Sequence, residues 1–160
     1  MSRILYYGIF FDEESNALIS KLDTKKLDIV PDYFHVTFRY LPNNDERIND
    51  VVGKEFELKI IGIANNGKNS GVLIEIPNNI KKYYINRYEE NGKEISVISH
   101  MTLSISSDSK NRYTRDLDFK PLKDPIKVRG RFGYCIENVP GDKTSRYVTY
   151  KKVLWYLFFI

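Results

Sequence analysis

The two histidines of this 160-residue chain each begin the same four-residue pattern, His-apolar-Thr-apolar, at residues 35–38 and 100–103. Side chains of an extended strand alternate between its two faces. The His and Thr of each pattern therefore point the same way, while the apolar residues point into a core. Imidazole has an unperturbed pKa of about 6.5, so its base and acid forms are both accessible near neutral pH. Two such residues suit paired general acid–base catalysis.

A phosphodiester held between two such strands would meet the groups that its cleavage requires. One neutral imidazole takes a proton from the attacking hydroxyl or water, and the other, as imidazolium, gives a proton to the leaving oxygen. The hydroxyls of Thr37 and Thr102 can donate hydrogen bonds to the non-bridging oxygens. A strand also favours Thr for its shape, but two histidines in this context arise by chance at about one in a thousand. The pattern therefore favours catalysis.

Composition limits the kind of protein that the chain can form. A hydrophobic content of 42%, with 12 Tyr and 9 Phe, indicates one folded domain over residues 1–160, rich in strands. The single Cys135 excludes an internal disulfide, and two histidines make no usual zinc site. We therefore expect neither metal nor cofactor. The net charge of +4 is spread along the chain, which fits a phosphate-bearing ligand and an ordinary solvated surface equally well.

The periodicity of apolar residues predicts the elements that position the two motifs. The apolar runs at residues 4–11 and 153–160 are shorter than the roughly 20 residues of a membrane helix, so we interpret them as buried strands of a cytoplasmic protein. Asp12 and the two acidic residues after it predict the start of a helix over residues 12–23, and a second, weaker helix is predicted over residues 79–88. Further strands are predicted at residues 33–41, 56–64, 71–76, 95–105, 126–136 and 147–159.

These motifs and their flanks resemble the 2H phosphoesterase superfamily. "HVTFRYLP" and "SHMTLSIS" are similar to its two motif strands, and "RILYYGIFFDEESNALISKL" is similar to the opening strand and helix of LigT-like members. The resemblance covers about residues 3–136. It implies an α+β, bilobal, pseudo-symmetric fold in which two small antiparallel sheets face a central cleft, with few helices outside. It also implies a catalytic quartet, which consists of His35, Thr37, His100 and Thr102.

Several other residues have the chemistry and position to bind a substrate. Tyr6 lies on the face of the first strand that the resemblance places at the cleft. Arg39 and Ser104 continue the two motif faces, each four residues after the His of its motif. Two lie in the polar loop after the second motif, and three interleave basic and aromatic side chains on a late strand, as suits a nucleotide. A core or solvated role remains open for each. The candidates are Tyr6, Arg39, Ser104, Arg112, Tyr113, Arg129, Arg131 and Tyr134.

The resemblance implies a metal-independent phosphodiesterase that cleaves a small 2'-linked or cyclic nucleotide. Virus-encoded members degrade cGAMP-type cyclic dinucleotides or 2',5'-oligoadenylate to evade immunity, and the bias of this chain toward Asn, Ile, Lys and Tyr is typical of AT-rich coding. Two alternatives remain open: an RNA 2',3'-cyclic phosphodiesterase in RNA end processing, and a non-catalytic nucleotide-binding sponge. We expect a monomer with no DNA or membrane partner, located in the host cytoplasm if the chain is viral.

Overall fold

The structure is a computed structural model that describes residues 3–40, 46–141 and 144–149. Nine strands and one α-helix make up its regular elements, together with short 3-10 helices at Glu46–Asp50, Lys81–Tyr83 and Asn111–Asp116. In chain order the elements are β1 (Ile4–Phe11), α1 (Glu13–Leu22), β2 (His35–Tyr40), β3 (Glu55–Asn65), β4 (Asn69–Glu75), β5 (Arg87–Glu90), β6 (Lys93–Ser96), β7 (His100–Ile105), β8 (Lys120–Glu137) and β9 (Ser145–Val148).

The expected α+β fold with two small facing sheets is wrong. A single seven-stranded antiparallel sheet holds most of the strands in the order β2-β1-β8-β3-β4-β7, with β9 also paired to β8. The physical reason is the length of β8, whose 18 residues pair with β3 along the first part and with β1 along the second. This strand joins what would otherwise be two sheets. The sheet then curls until its edge strands β2 and β7 contact each other, which makes a nearly closed barrel.

Helix is scarcer than the sequence predicts. The predicted helix at residues 79–88 is reduced to the three-residue 3-10 helix and is followed by β5. Its backbone instead bonds to other segments, since the Ile85 amide donates to the Phe38 carbonyl and the Val97 amide donates to the Asn86 carbonyl. The predicted strand at residues 95–105 is divided between β6 and β7. Of the last predicted strand, at residues 147–159, the structure describes only residues 147–149. The remainder of this predicted strand lies outside the described residues.

The helix α1 begins where the sequence predicts it. The Asp12 carboxylate accepts a hydrogen bond of 2.8 Å from the Ser15 amide, which satisfies one of the free donors of the first turn. Ile19 is the fully buried residue of the helix, whereas Ala17 and Leu18 are exposed. No helix within the described ranges has the length and apolar character of a membrane span.

Strand alternation fills the barrel with apolar side chains and places the other parity outside it. The core includes the apolar residues that flank each Thr of the two motifs, and all of these are at most 1% exposed. The side chains of His35 on β2 and His100 on β7 therefore lie on the strand faces that point away from the core, and each is partly exposed. The fully buried residues around the motifs include Ile9, Val36, Phe38, Leu58, Ile60, Val72, Met101, Leu103 and Phe132.

Candidate active site

Closure of the barrel brings the two His-x-Thr motifs together. His35 is the first residue of β2 and His100 is the first residue of β7, and these are the two edge strands that meet. The charge of a protonated His100 lowers the pKa of His35, so the two imidazoles are within electrostatic reach of each other. The motifs are 65 positions apart in the sequence, and only the curvature of the sheet makes them neighbours.

The two motifs occupy equivalent positions in the sheet. Thr37 lies opposite Gly8 of β1, and Thr102 lies opposite Gly71 of β4. In both pairs a bulge follows, because the motif strand has one extra residue directly after its Thr. A Cβ atom on either glycine would also meet the carbonyl oxygen of the residue between His and Thr, at 2.2 Å for Gly8 and 2.9 Å for Gly71. Both motif strands thus need a glycine beside them.

Neither glycine was among the predicted site residues. A glycine inside a strand often marks a bulge or a close approach of two backbones, so Gly8 within the apolar run at residues 4–11 was an available signal. The same holds for Gly71, which is the first residue of the strand predicted over residues 71–76.

The bulges also decide where Arg39 and Ser104 point. Strand parity predicts both on the motif faces, but the extra residue puts Arg39 opposite Tyr7, whose side chain lies in the core. Arg39 is buried, and its Nε donates to the Tyr83 carbonyl at 2.9 Å. Ser104 is fully buried and its hydroxyl donates to Asp23 at 2.7 Å. The structure therefore does not place these two residues beside Thr37 and Thr102.

Aromatic rings surround His35. Its imidazole stacks on Tyr6 with 4.8 Å between ring centroids, and Phe10 and Tyr33 lie at 5.7 and 5.8 Å. Tyr147 of β9 stacks in turn on Phe10 at 5.0 Å. Burial among these rings is the main cause that lowers the pKa of His35 to about 4, and the charge of the second imidazole adds to it. His35 is therefore neutral at pH 7 and can accept a proton.

Tyr6 thus lies on the face of His35, and the resemblance implies that this face of the first strand lines the cleft. Tyr33 was not among the candidates, although it lies two residues before His35 and shares its parity. Tyr147 was missed as well, and no local signal marks it, because it reaches the ring cluster only through the pairing of β9 with β8.

His100 has more polar surroundings. Burial lowers its pKa, and the nearby charge of Arg115 does the same. Two other groups oppose this shift, since the Nδ1 of His100 is 2.7 Å from the Ile98 carbonyl oxygen and the Asp116 carboxylate is near. A carbonyl oxygen only accepts, so Nδ1 carries the proton and donates it. This leaves Nε2 as the nitrogen that can exchange a proton with a ligand.

The 3-10 helix Asn111–Asp116 supports the second motif. The hydroxyl of Thr102 donates to that of Thr114, which is fully buried, at 2.8 Å. Arg112 and Tyr113 in the same helix are exposed and bond to each other at 3.3 Å, and their role in substrate binding stays a prediction. The helix residues whose charges act on His100 are Arg115 and Asp116, and neither was among the candidates.

The candidates on β8 divide between the two faces of the sheet. Arg131 lies opposite Phe10 and therefore on the face of His35, while Tyr134 lies on the core side. Arg129 and Arg131 both pair with the Glu55 carboxylate, at 3.4 and 3.7 Å. All of these side chains are more than a third exposed, and such pairs contribute little to stability. Their role in substrate binding is still a prediction.

A separate cavity of about 400 Å³ lies near the end of α1. Its walls include Asp23, Lys25, Asn65 and Leu117, but no member of the catalytic quartet. Among the described residues, no group of three or more His, Cys, Asp or Glu side chains converges.

Comparison with known proteins adds no family. No family model matches this chain, and no curated protein is significantly similar to it. The proposed function therefore depends on the site itself.

Proposed function

We propose that this protein is a phosphodiesterase of the 2H type, in which the two histidines move protons and the two threonines hold the phosphate without a metal ion. The observation that carries the proposal is the equivalence of the motifs, since Thr37 and Thr102 each face a glycine and precede a bulge on strands that meet. Attacking and leaving oxygens lie roughly in line through phosphorus. A base and an acid supplied by two different strands suit that geometry.

His35 is the general base and His100 the general acid in this proposal. His35 has a pKa of about 4 and is neutral at pH 7, so it is ready to take a proton. Burial lowers the pKa of His100, but its hydrogen bond to the Ile98 carbonyl and the nearby Asp116 carboxylate oppose that shift and favour the imidazolium form. The negative charge of a bound phosphodiester would favour that form further.

The proposed substrate is a small 2'-linked or cyclic nucleotide, of the cyclic dinucleotide or 2',5'-oligoadenylate kind. Stacked rings beside His35, Tyr6 among them, provide apolar surface for a nucleobase. A net charge of +4 without clusters is modest for a protein that binds a large RNA. For a 2',5' bond the neighbouring 3'-hydroxyl attacks phosphorus, and the 2',3'-cyclic phosphate and a free 5'-hydroxyl are the products. In a virus, this reaction would remove an immune signal of the host.

The test is a panel of nucleotides incubated with the protein in EDTA and analysed by mass spectrometry. The panel contains cyclic dinucleotides with 2' linkages, 2',5'-oligoadenylate and an RNA that ends in a 2',3'-cyclic phosphate. Removal of a general acid or base costs about 10²- to 10⁴-fold in rate. We therefore expect the rate of nucleotide cleavage to fall by such a factor in His35→Asn and in His100→Asn. Thr37→Val and Thr102→Val should also lose activity, and Thr24→Val, which changes an exposed Thr outside the motifs, is the matched control.

Each outcome selects one function. Turnover of a cyclic dinucleotide or of oligoadenylate supports the proposal, and turnover of the RNA end alone shows RNA end processing instead. Tight binding without turnover shows a nucleotide sponge. If both histidine variants retain the full activity of the wild type, the proposed mechanism is wrong.

A further inference from the structure

Arg115 has an unusual environment for a cation in a small domain. Its guanidinium carbon lies 3.6 Å from the centre of the Tyr88 ring, which belongs to β5 of the separate two-stranded sheet. Its Nε atom is buried and bonds to no hydrogen-bond acceptor in the described part of the chain. No carboxylate among those residues forms an ion pair with it either. A buried donor without a partner is destabilising, so packing alone does not account for this arrangement.

The backbone of Arg115 is fixed beside the second motif. Its neighbour Thr114 accepts the hydrogen bond of Thr102, so the 3-10 helix and the motif strand are joined at this point. The positive charge of Arg115 acts on His100. The cation is therefore at the motif whose imidazole would protonate the leaving oxygen, whereas aromatic rings surround the other imidazole.

We propose that Arg115 binds the negatively charged oxygens of the phosphodiester at the second motif, with Tyr88 as the platform that orients its guanidinium. The inference rests on the proposed function and adds a residue to it. A guanidinium that lies flat on a ring keeps its N–H groups free at the edge, and two of these can bond to one phosphate group. Negative charge grows on the phosphate oxygens as the bond breaks, so a fixed cation stabilises the transition state.

The experiment compares kcat/KM and phosphate affinity in matched variants. We expect Arg115→Gln to lower kcat/KM by about 100-fold, the typical cost of one donor to a developing anion, and Arg115→Lys to recover part of the loss. Lys110→Gln changes an exposed cation next to the same 3-10 helix and should leave kcat/KM unchanged. Tyr88→Phe keeps the ring and its platform, whereas Tyr88→Leu removes them and should weaken activity.

A second measurement does not depend on turnover. The chain has only two histidines, so NMR resolves each imidazole while inorganic phosphate is added as the probe. We expect phosphate to shift the His100 signals in the wild type and to bind more weakly to Arg115→Gln. The same variant should raise the pKa of His100, because a nearby positive charge is lost. The pKa change tests only whether the charge lies near His100, whereas the phosphate affinity tests the role, because a purely structural Arg115 would leave that affinity unchanged.

The outcomes separate this inference from the proposed function. If the wild type cleaves a nucleotide but Arg115→Gln has the same kcat/KM and phosphate affinity, the role of Arg115 is wrong and the enzyme proposal stands. If the wild type cleaves nothing, weaker phosphate binding by Arg115→Gln still supports the anion site, and equal or undetectable binding in both overturns it. If Arg115→Gln does not fold, the anion site is tested by comparing the phosphate affinity of Tyr88→Phe with that of Tyr88→Leu. Weaker phosphate binding in Tyr88→Leu alone supports the site, and equal binding in both variants overturns it.

Discussion

The low pKa of His35 predicts that acid destabilises this protein well before its carboxylates are protonated. In the unfolded chain the imidazole has a pKa of about 6.5, and in the folded chain a pKa of about 4. Between these values the unfolded state binds more protons, so the free energy of unfolding falls as pH decreases. At about 1.4 kcal/mol per pKa unit, His35 alone lowers stability by about 2 kcal/mol between pH 7 and pH 5. The loss reaches about 3 kcal/mol at pH 4.

The assay is urea unfolding at several pH values for the wild type and for His35→Asn. The side chain of Asn does not titrate, so the difference between the two stability curves isolates the contribution of His35 from that of every other group. We expect the wild type to lose about 2 kcal/mol more than the variant from pH 7 to pH 5. NMR titration of the two imidazoles identifies the histidine responsible.

A parallel fall of both stability curves would refute this reasoning. So would an NMR titration in which His35 has an ordinary pKa near 6.5, because the rings around it would then not exclude water as the structure indicates. His100→Asn is the control for the second imidazole. It should remove less of the pH dependence than His35→Asn, because the Ile98 carbonyl and Asp116 oppose the shift at His100.

Three further predictions concern the residues around the two motifs and the pH dependence of activity. Gly8→Ala should prevent normal pairing of β1 with β2, since its Cβ would lie 2.2 Å from a backbone oxygen. We expect this variant to yield less soluble, folded protein, and we expect the same loss for Gly71→Ala at the second motif. Asp23→Ala leaves two buried serine hydroxyls without their acceptor, which should cost about 1–3 kcal/mol for each in a urea melt. The pH profile of kcat/KM should be bell-shaped with its maximum below pH 6.5, because His35 must be neutral and His100 protonated while both have lowered pKa values; a maximum above pH 7.5 would contradict the assignment.

Local patterns predicted much of the secondary structure. The first strand and the capped helix after it are where the sequence places them, because an apolar run followed by Asp12 and acidic residues depends only on neighbours along the chain. The segment at residues 79–88 was predicted wrongly, since its helical spacing was outweighed by backbone hydrogen bonds to Phe38 of β2 and to Val97. The side chains of Arg39 and Ser104 were assigned to the wrong face for a related reason. The bulge after each Thr reverses strand parity, and the sequence of the motif strand alone does not reveal that bulge.

The sequence by itself determined the pairing of each His with a Thr and the side of the strand on which they lie. Period-two alternation requires only that residues 35–38 and 100–103 be extended. The tertiary structure decided everything that depends on distant segments: one curled sheet in place of two, the contact of β2 with β7, the rings around His35 and the position of Arg115. The length of β8 and the curvature of the sheet are collective properties of many strand pairs. No local run of residues specifies them, so the motifs were visible in the sequence and their meeting was not.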